Sequence, residues 1–199
     1  MEEDNWDIIS TEKQFGNAHL EVVTENVQTP ARSAARTWTT VHRKAAVIIA
    51  PVTLDGKIVL IRQERISIRS AIWEMPSGQI DGSLAETVEQ VALRELAEEA
   101  GYQLASDGKL IGLGYYFTSP GFTDERGHFF LARPVRKSKR MPAADEGESI
   151  IGCREFSVRE IRQMIAENEI RDANTLSMWA RLAASGLLPA ASADRSRSD

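Results

Sequence analysis

The stretch Glu86-Thr-Val-Glu-Gln-Val-Ala-Leu-Arg-Glu-Leu-Ala-Glu-Glu-Ala-Gly-Tyr102 carries the reading that decides the fold. Thr87 and Gln90 have the spacing of a capping box, and Gly101 suits the left-handed position that closes a helix, so a helix over Val88–Ala100 is expected. On a wheel of about 100° per residue, Val88, Val91 and Ala92 form an apolar stripe, with Leu96 beside it and Leu93 further round. Glu95 and Glu99 fall inside that stripe and Glu98 lies at its edge, whereas an ordinary surface helix sets its glutamates opposite its valines. Glu95 and Glu99 are also a like-charge i,i+4 pair, mildly destabilising by itself and far more costly if buried without a cation. A hard divalent cation held by oxygen ligands would remove both costs. The alternative is a solvated acidic face on which Arg94 pairs with Glu98.

Outward from this helix, the chain reads as strands and two further helices. Ala45-Ala-Val-Ile-Ile-Ala is a buried-strand pattern, and Asp55-Gly56 is a hairpin turn that returns Lys57-Ile-Val-Leu-Ile-Arg62 as its partner. Leu110–Phe117, Gly127–Pro134 and Ile150–Phe156 continue the strand pattern. Ser157-Val-Arg-Glu160 is a second capping box opening a helix, and a last helix is expected from about Asp172 to Ser185. Upstream, Trp6–Ile9, His19–Thr24 and Arg36–His42 alternate with period two and should form short antiparallel strands. Three such strands make no core of their own, so they should pack on the rest or on a second copy. These patterns divide the chain into an N-terminal β segment, 1–43, a main domain, 44–189, and a small polar tail, 190–199, expected to fray.

Composition narrows the function classes. The 199 residues are 42% hydrophobic and 27% charged, close to the globular average, which excludes wholesale disorder. A net charge of -5 argues against broad binding to nucleic acid or anionic membrane. Cys153 is the single cysteine and His19, His42 and His128 are scattered, so neither a disulfide framework nor a zinc-ligand spacing is present. The N-terminus lacks a signal-peptide pattern and the longest apolar run, Ala45–Val52, is far short of a bilayer span; a cytoplasmic location is expected.

Gly78, Glu86, Arg94-Glu95-Leu96, Glu98-Glu99 and Gly101-Tyr102 together resemble the Nudix box, the loop-helix-loop signature of Nudix hydrolases. The spacing agrees from Glu86 to Tyr102, while the loop Gln79–Ala85 is longer than usual. Val59-Leu-Ile-Arg-Gln-Glu-Arg65 and Trp73-Glu-Met-Pro-Ser-Gly78 are similar to stretches of the ADP-ribose pyrophosphatase branch, with Glu64 where that branch has tyrosine. Ser119-Pro-Gly-Phe-Thr-Asp-Glu125 and Asp172-Ala-Asn-Thr-Leu also look like that branch.

The resemblance implies an α/β (α+β) fold, a Nudix α/β/α sandwich with a mixed sheet, preceded here by the small antiparallel β segment. It implies Mg²⁺-dependent hydrolysis of ADP-ribose to AMP and ribose 5-phosphate by a homodimer, with Mn²⁺ as the second choice of ion. By position, Glu95, Glu98, Glu99, Glu148 and the Ser77 carbonyl would be metal ligands, Arg94 would orient the carboxylates, and Glu146 would be the general base. Glu95 and Glu99 would thereby be catalytic. Composition alone would read the acidic loop holding Glu146 and Glu148 as a solvated turn; a carboxylate beside bound cations can accept a proton from water. Arg65 matches a substrate-side arginine, and Arg62 is a second candidate phosphate contact, whereas Arg69 fits a solvated loop. Phe122 and Trp38 are candidates to stack a base, although aromatics more often pack in cores. Cys153, in an apolar strand pattern, should be an inert core residue.

Two other readings stay open. A hydrolase of nucleoside diphosphate sugars such as GDP-mannose would share the fold and the metals. A non-catalytic Nudix-like ligand sensor would have lost box glutamates and gained a basic appendage, and neither is seen.

Overall fold

The computed structural model describes residues 6–82, 86–138 and 149–189. In chain order the elements are β1 (Asp7–Gly16), β2 (Leu20–Gln28), β3 (Arg36–Arg43), β4 (Ala46–Thr53), β5 (Ile58–Arg65), β6 (Ser70–Glu74) and β7 (Ser77–Gln79). There follow α1 (Val88–Ala100), β8 (Tyr102–Phe117), β9 (Arg126–Lys137), β10 (Ile150–Phe156), α2 (Val158–Ala166) and α3 (Ala173–Ala184). The chain divides into two compact units, one running to Ala45 and including Tyr116–Arg126, the other made of the remainder.

In the first unit, β1, β2 and β3 form an antiparallel three-stranded sheet. Asn17 closes the β1–β2 turn, its side-chain oxygen accepting from the His19 and Leu20 amides at 2.8 and 3.0 Å. Every residue of β1 is exposed, so the strand lacks a buried face of its own. The Ser119–Glu125 segment, which sequence patterning assigned to the main domain, docks on β3. Val41 N–H donates to the Phe122 carbonyl at 2.7 Å, His42 Nδ1 lies 2.7 Å from Asp124, and Arg43 lies 3.0 Å from Glu125.

In the second unit a seven-stranded sheet runs β10-β5-β4-β9-β8, with β6 paired to β5 and β7 to β4. β4 and β9 are parallel while β5 and β7 lie antiparallel to β4, so the sheet is mixed. β4 is buried almost throughout, and its alternating side chains reach opposite faces. Val47 and Ile49 join Val59, Ile61 and the α1 residues Val91, Ala92 and Leu96 in one core. Ile48, opposite in parity and equally buried, is in register with Phe129, over which Arg181 of α3 is placed at 5.9 Å. Helices therefore cover both faces, as the α/β/α expectation requires.

Two expectations are corrected. β8 begins at Tyr102 rather than Leu110, because Ser106-Asp-Gly108, turn-like in sequence, stays in the strand; a Cβ on Gly108 would come within 2.5 Å of the Pro134 carbonyl oxygen. Cys153 is not a core residue. β10 ends the strand order, and Cys153 and Ile151 are exposed on it. The Cys153 thiol still reaches the Ala100 carbonyl at 3.4 Å, and its partial burial pushes the thiol up from its ordinary value. Among the described residues no helix is long and apolar enough to cross a membrane.

Candidate active site

α1 is bounded as its sequence dictates. Thr87 accepts from the Gln90 amide, Gln90 accepts from the Thr87 amide, and Gly101 takes the left-handed conformation at φ 70°. Val91, Ala92 and Leu96 bury one face against β4 and β5, and the same rotation buries Glu95 and Glu99, exposed only 7% and 3%. The carboxylates thus lie where the helical wheel sets them, inside the apolar stripe.

What meets them is β7. Ser77 N–H donates to Glu99 Oε2 at 2.7 Å. A Cβ built on Gly78 would fall 2.1 Å from Glu95 Cδ, so only glycine lets the strand pass over that side chain. Arg94 gathers the remaining acids, with contacts of 3.3 Å to Glu86, 2.9 Å to Glu95 and 2.8 Å to Glu98. Burial works against its charge, but the Glu98 hydrogen bond and the charges of Glu95, Glu98 and Glu86 together hold the Arg94 guanidinium above its ordinary value. Arg94 therefore contacts three of the acids at once, and the Arg94–Glu98 pair of the alternative reading is among these contacts.

The donor chemistry fits a hard divalent cation: buried carboxylates on one helix face and the glycine-containing strand β7 against them, all oxygen donors. Among the described residues, no three acidic, histidine or cysteine side chains stand as a preformed metal group. Arg94 draws Glu95 and Glu98 towards itself. Glu146 and Glu148, the expected base and further ligand, lie outside the described residues.

Arg65 is a held cation rather than a free one. Its Nε donates to Glu74 Oε1 at 2.9 Å and its Nη2 to Oε2 at 2.5 Å, a two-armed pair across β5 and β6. The Glu74 side chain is 1% exposed. Burial raises its carboxyl above the usual range and Arg65 only partly offsets this; the Glu74 hydrogen bond holds the Arg65 guanidinium up, with the charges of Asp172 and Glu99 adding to it. Arg62 and Arg69 are both exposed, Arg69 in a left-handed turn at φ 52°. Phe122 and Trp38 are exposed, not packed in a core, and line a cleft of about 620 Å³ within the first unit, together with Trp6, Ile8 and Phe117.

Sequence patterning missed two residues that shape this site. Glu74 is an acid that opens the buried run Glu74-Met-Pro76. Thr175 follows its N-cap Asp172 by three residues, a spacing that signals a helix start but nothing about its second partner, the Met75 amide at 2.9 Å.

A family model, the NUDIX domain, matches residues 41–178. The chain belongs to the Nudix family. As a Nudix hydrolase it is 32% identical over 167 residues to the ADP-ribose pyrophosphatase of Bacillus subtilis, covering 84% of this chain and 86% of that one. It is 31% identical over 140 residues to a GDP-mannose pyrophosphatase of Klebsiella pneumoniae, 66% of each chain. Among solved structures, one described as an ADP compounds hydrolase superposes with a TM-score of 0.74 at 20% identity, over 92% of this chain and 96% of that one. That likeness establishes the Nudix fold.

Proposed function

We propose that this Nudix hydrolase cleaves the pyrophosphate bond of ADP-ribose with Mg²⁺, or with Mn²⁺ in its place, releasing AMP and ribose 5-phosphate. The observation carrying this reading is the junction of Glu99 with the Ser77 amide beside Gly78, which brings two buried carboxylates against one short strand. The identity to an ADP-ribose pyrophosphatase over most of both chains supports the substrate class.

In this reading Glu95, Glu98, Glu99, Glu148 and the Ser77 carbonyl hold the ions. When bound, the divalent cation neutralises the diphosphate and acidifies the attacking water. Arg94 keeps the helix carboxylates oriented, and Glu146 takes the proton from water as its oxygen attacks one phosphorus in line and the bridging P–O bond breaks. Arg65, anchored by Glu74, and Arg62 offer positive charge to the phosphates, and Phe122 offers a face to the base. The protein acts as a homodimer in the cytoplasm, its N-terminal sheet covered by a second copy; Ile8, Ile9, Phe15 and Trp38 are otherwise more than half exposed, at 61, 60, 55 and 56%.

The second reading, a GDP-mannose hydrolase, is favoured by the Klebsiella relative. Measuring kcat/KM for ADP-ribose, GDP-mannose, UDP-glucose and NADH with each metal separates the two. The highest value for ADP-ribose is expected. A higher value for GDP-mannose would replace the first reading with the second, and no turnover of any compound would sink both.

A further inference from the structure

The segment Glu74–Ser77 is gripped from a side that the carboxylate helix does not supply. Asp172, the N-cap of α3, accepts two hydrogen bonds at Oδ2, from Thr175 N–H at 2.8 Å and from the Thr175 hydroxyl at 2.7 Å. Capping α3 requires only the first. The hydroxyl, its proton committed to Asp172, presents lone pairs alone, and it accepts the Met75 N–H at 2.9 Å. The polarity of this relay follows from its ends, since a main-chain N–H can only donate and a carboxylate can only accept. Thr175 is 0% and Met75 1% exposed, so water does not replace either partner.

The next residue makes this contact matter. Pro76 has no N–H, so Met75 carries the one main-chain donor between Glu74 and Ser77. Beyond it, the Pro76 carbonyl accepts from Ile49 N–H at 2.9 Å, and Ser77 N–H goes to Glu99 at 2.7 Å. The main chain leading into β7 is thus fixed on one side by β4 and on the other by Thr175.

The geometry points to Thr175 as a positioning residue for the cation site. Oriented by Asp172, its hydroxyl holds the Met75 amide and so sets where the Ser77 main chain meets Glu99. Thr175 touches no substrate; its effect rests on the metal-dependent reading above and is read first in metal affinity. Neighbours that orient metal ligands typically change affinity by about 10–100-fold when lost.

The test is Mn²⁺ affinity, followed by electron paramagnetic resonance, for the wild type, Thr175→Val and Thr175→Ser, alongside kcat and KM for ADP-ribose. Valine keeps the shape and leaves the Met75 amide without an acceptor. Thr175→Val should bind Mn²⁺ about tenfold more weakly and Thr175→Ser should return to within about twofold of the wild type. A folded Thr175→Val protein with unchanged Mn²⁺ affinity and a lowered melting temperature would make the hydroxyl merely structural and overturn the inference. Should Thr175→Val not fold, amide exchange at Met75 in the metal-free wild type decides: slow exchange supports the relay and exchange at the rate of an exposed amide overturns it. A wild type that bound no Mn²⁺ would overturn the functional reading and the inference with it, whereas normal wild-type binding with an indifferent Thr175→Val removes the inference alone.

Discussion

The Ser77 amide donates to Glu99 Oε2 at 2.7 Å, so the helix and the strand that carry the proposed ligands are joined by one of those ligands. A buried carboxylate so used is oriented before any ion arrives, which lowers the cost of ordering the site on binding.

Gly78→Ala tests how tightly that strand lies on the helix. The new Cβ would sit 2.1 Å from Glu95 Cδ and 2.2 Å from its Oε1, closer than any real contact, so Glu95 or the strand must move. Overpacking of this kind costs about 1–3 kcal/mol. Chemical denaturation should show that loss, and a Mn²⁺ titration should show weakened binding. Stability and affinity both at wild-type level would mean that β7 and Glu95 are not in contact in solution.

The Arg65–Glu74 pair makes a pH-dependent prediction. Arg65→Ala leaves a carboxylate whose side chain is 1% exposed without its partner, at a cost of about 2–3 kcal/mol near neutral pH, below what a fully buried broken pair costs because Arg65 is itself 39% exposed. Burial already raises the Glu74 carboxyl above its ordinary 4.5, and losing Arg65 removes the hydrogen bond and charge that lower it. A carboxyl whose folded value is raised gives stability that is present below 4.5 and lost as pH rises through the folded value. The deficit of Arg65→Ala should therefore be smaller at acid pH than at neutral pH in urea midpoints. An equal deficit at both ends would show that Glu74 does not carry the effect.

The exposed N-terminal sheet predicts self-association. Light scattering should give about twice the chain mass of 22.1 kDa. Glutamate at Ile9 and Phe15, both on β1, should shift the protein to monomer with little change in the melting of the second unit. A monomeric wild type would contradict the role given to β1.

Much of this was legible in residue order where the interactions are local. Thr87, Gln90 and Gly101 bound α1 through contacts within one helical turn, and the phase of Glu95 and Glu99 follows from the wheel once the helix is set. The mixed sheet follows from strand patterns and the resemblance together. The contacts made between elements were not legible: Arg65 with Glu74 depends on how two neighbouring strands pair, and Thr175 with Met75 spans 100 residues, so no periodicity records either. The early start of β8, at Tyr102, was not legible either, since Ser106-Asp-Gly108 has a turn-like composition and yet lies within the strand. The exposed setting of Trp38 and Phe122 depends on how the Ser119–Glu125 segment docks on β3, which the order of residues alone does not give.

In the proposed reaction Glu99 is the ligand whose charge is needed most. Phosphorus NMR of ADP-ribose incubated with Mg²⁺ and either the wild type or Glu99→Gln tests it most directly. Glutamine keeps the size and can still accept the Ser77 N–H, but it removes the charge that a cation needs. The wild type should convert ADP-ribose to AMP and ribose 5-phosphate, and Glu99→Gln should be slower by roughly a hundredfold or more while melting near the wild-type temperature. Equal rates for the two proteins, or ADP-ribose left intact by the wild type, would contradict the assignment.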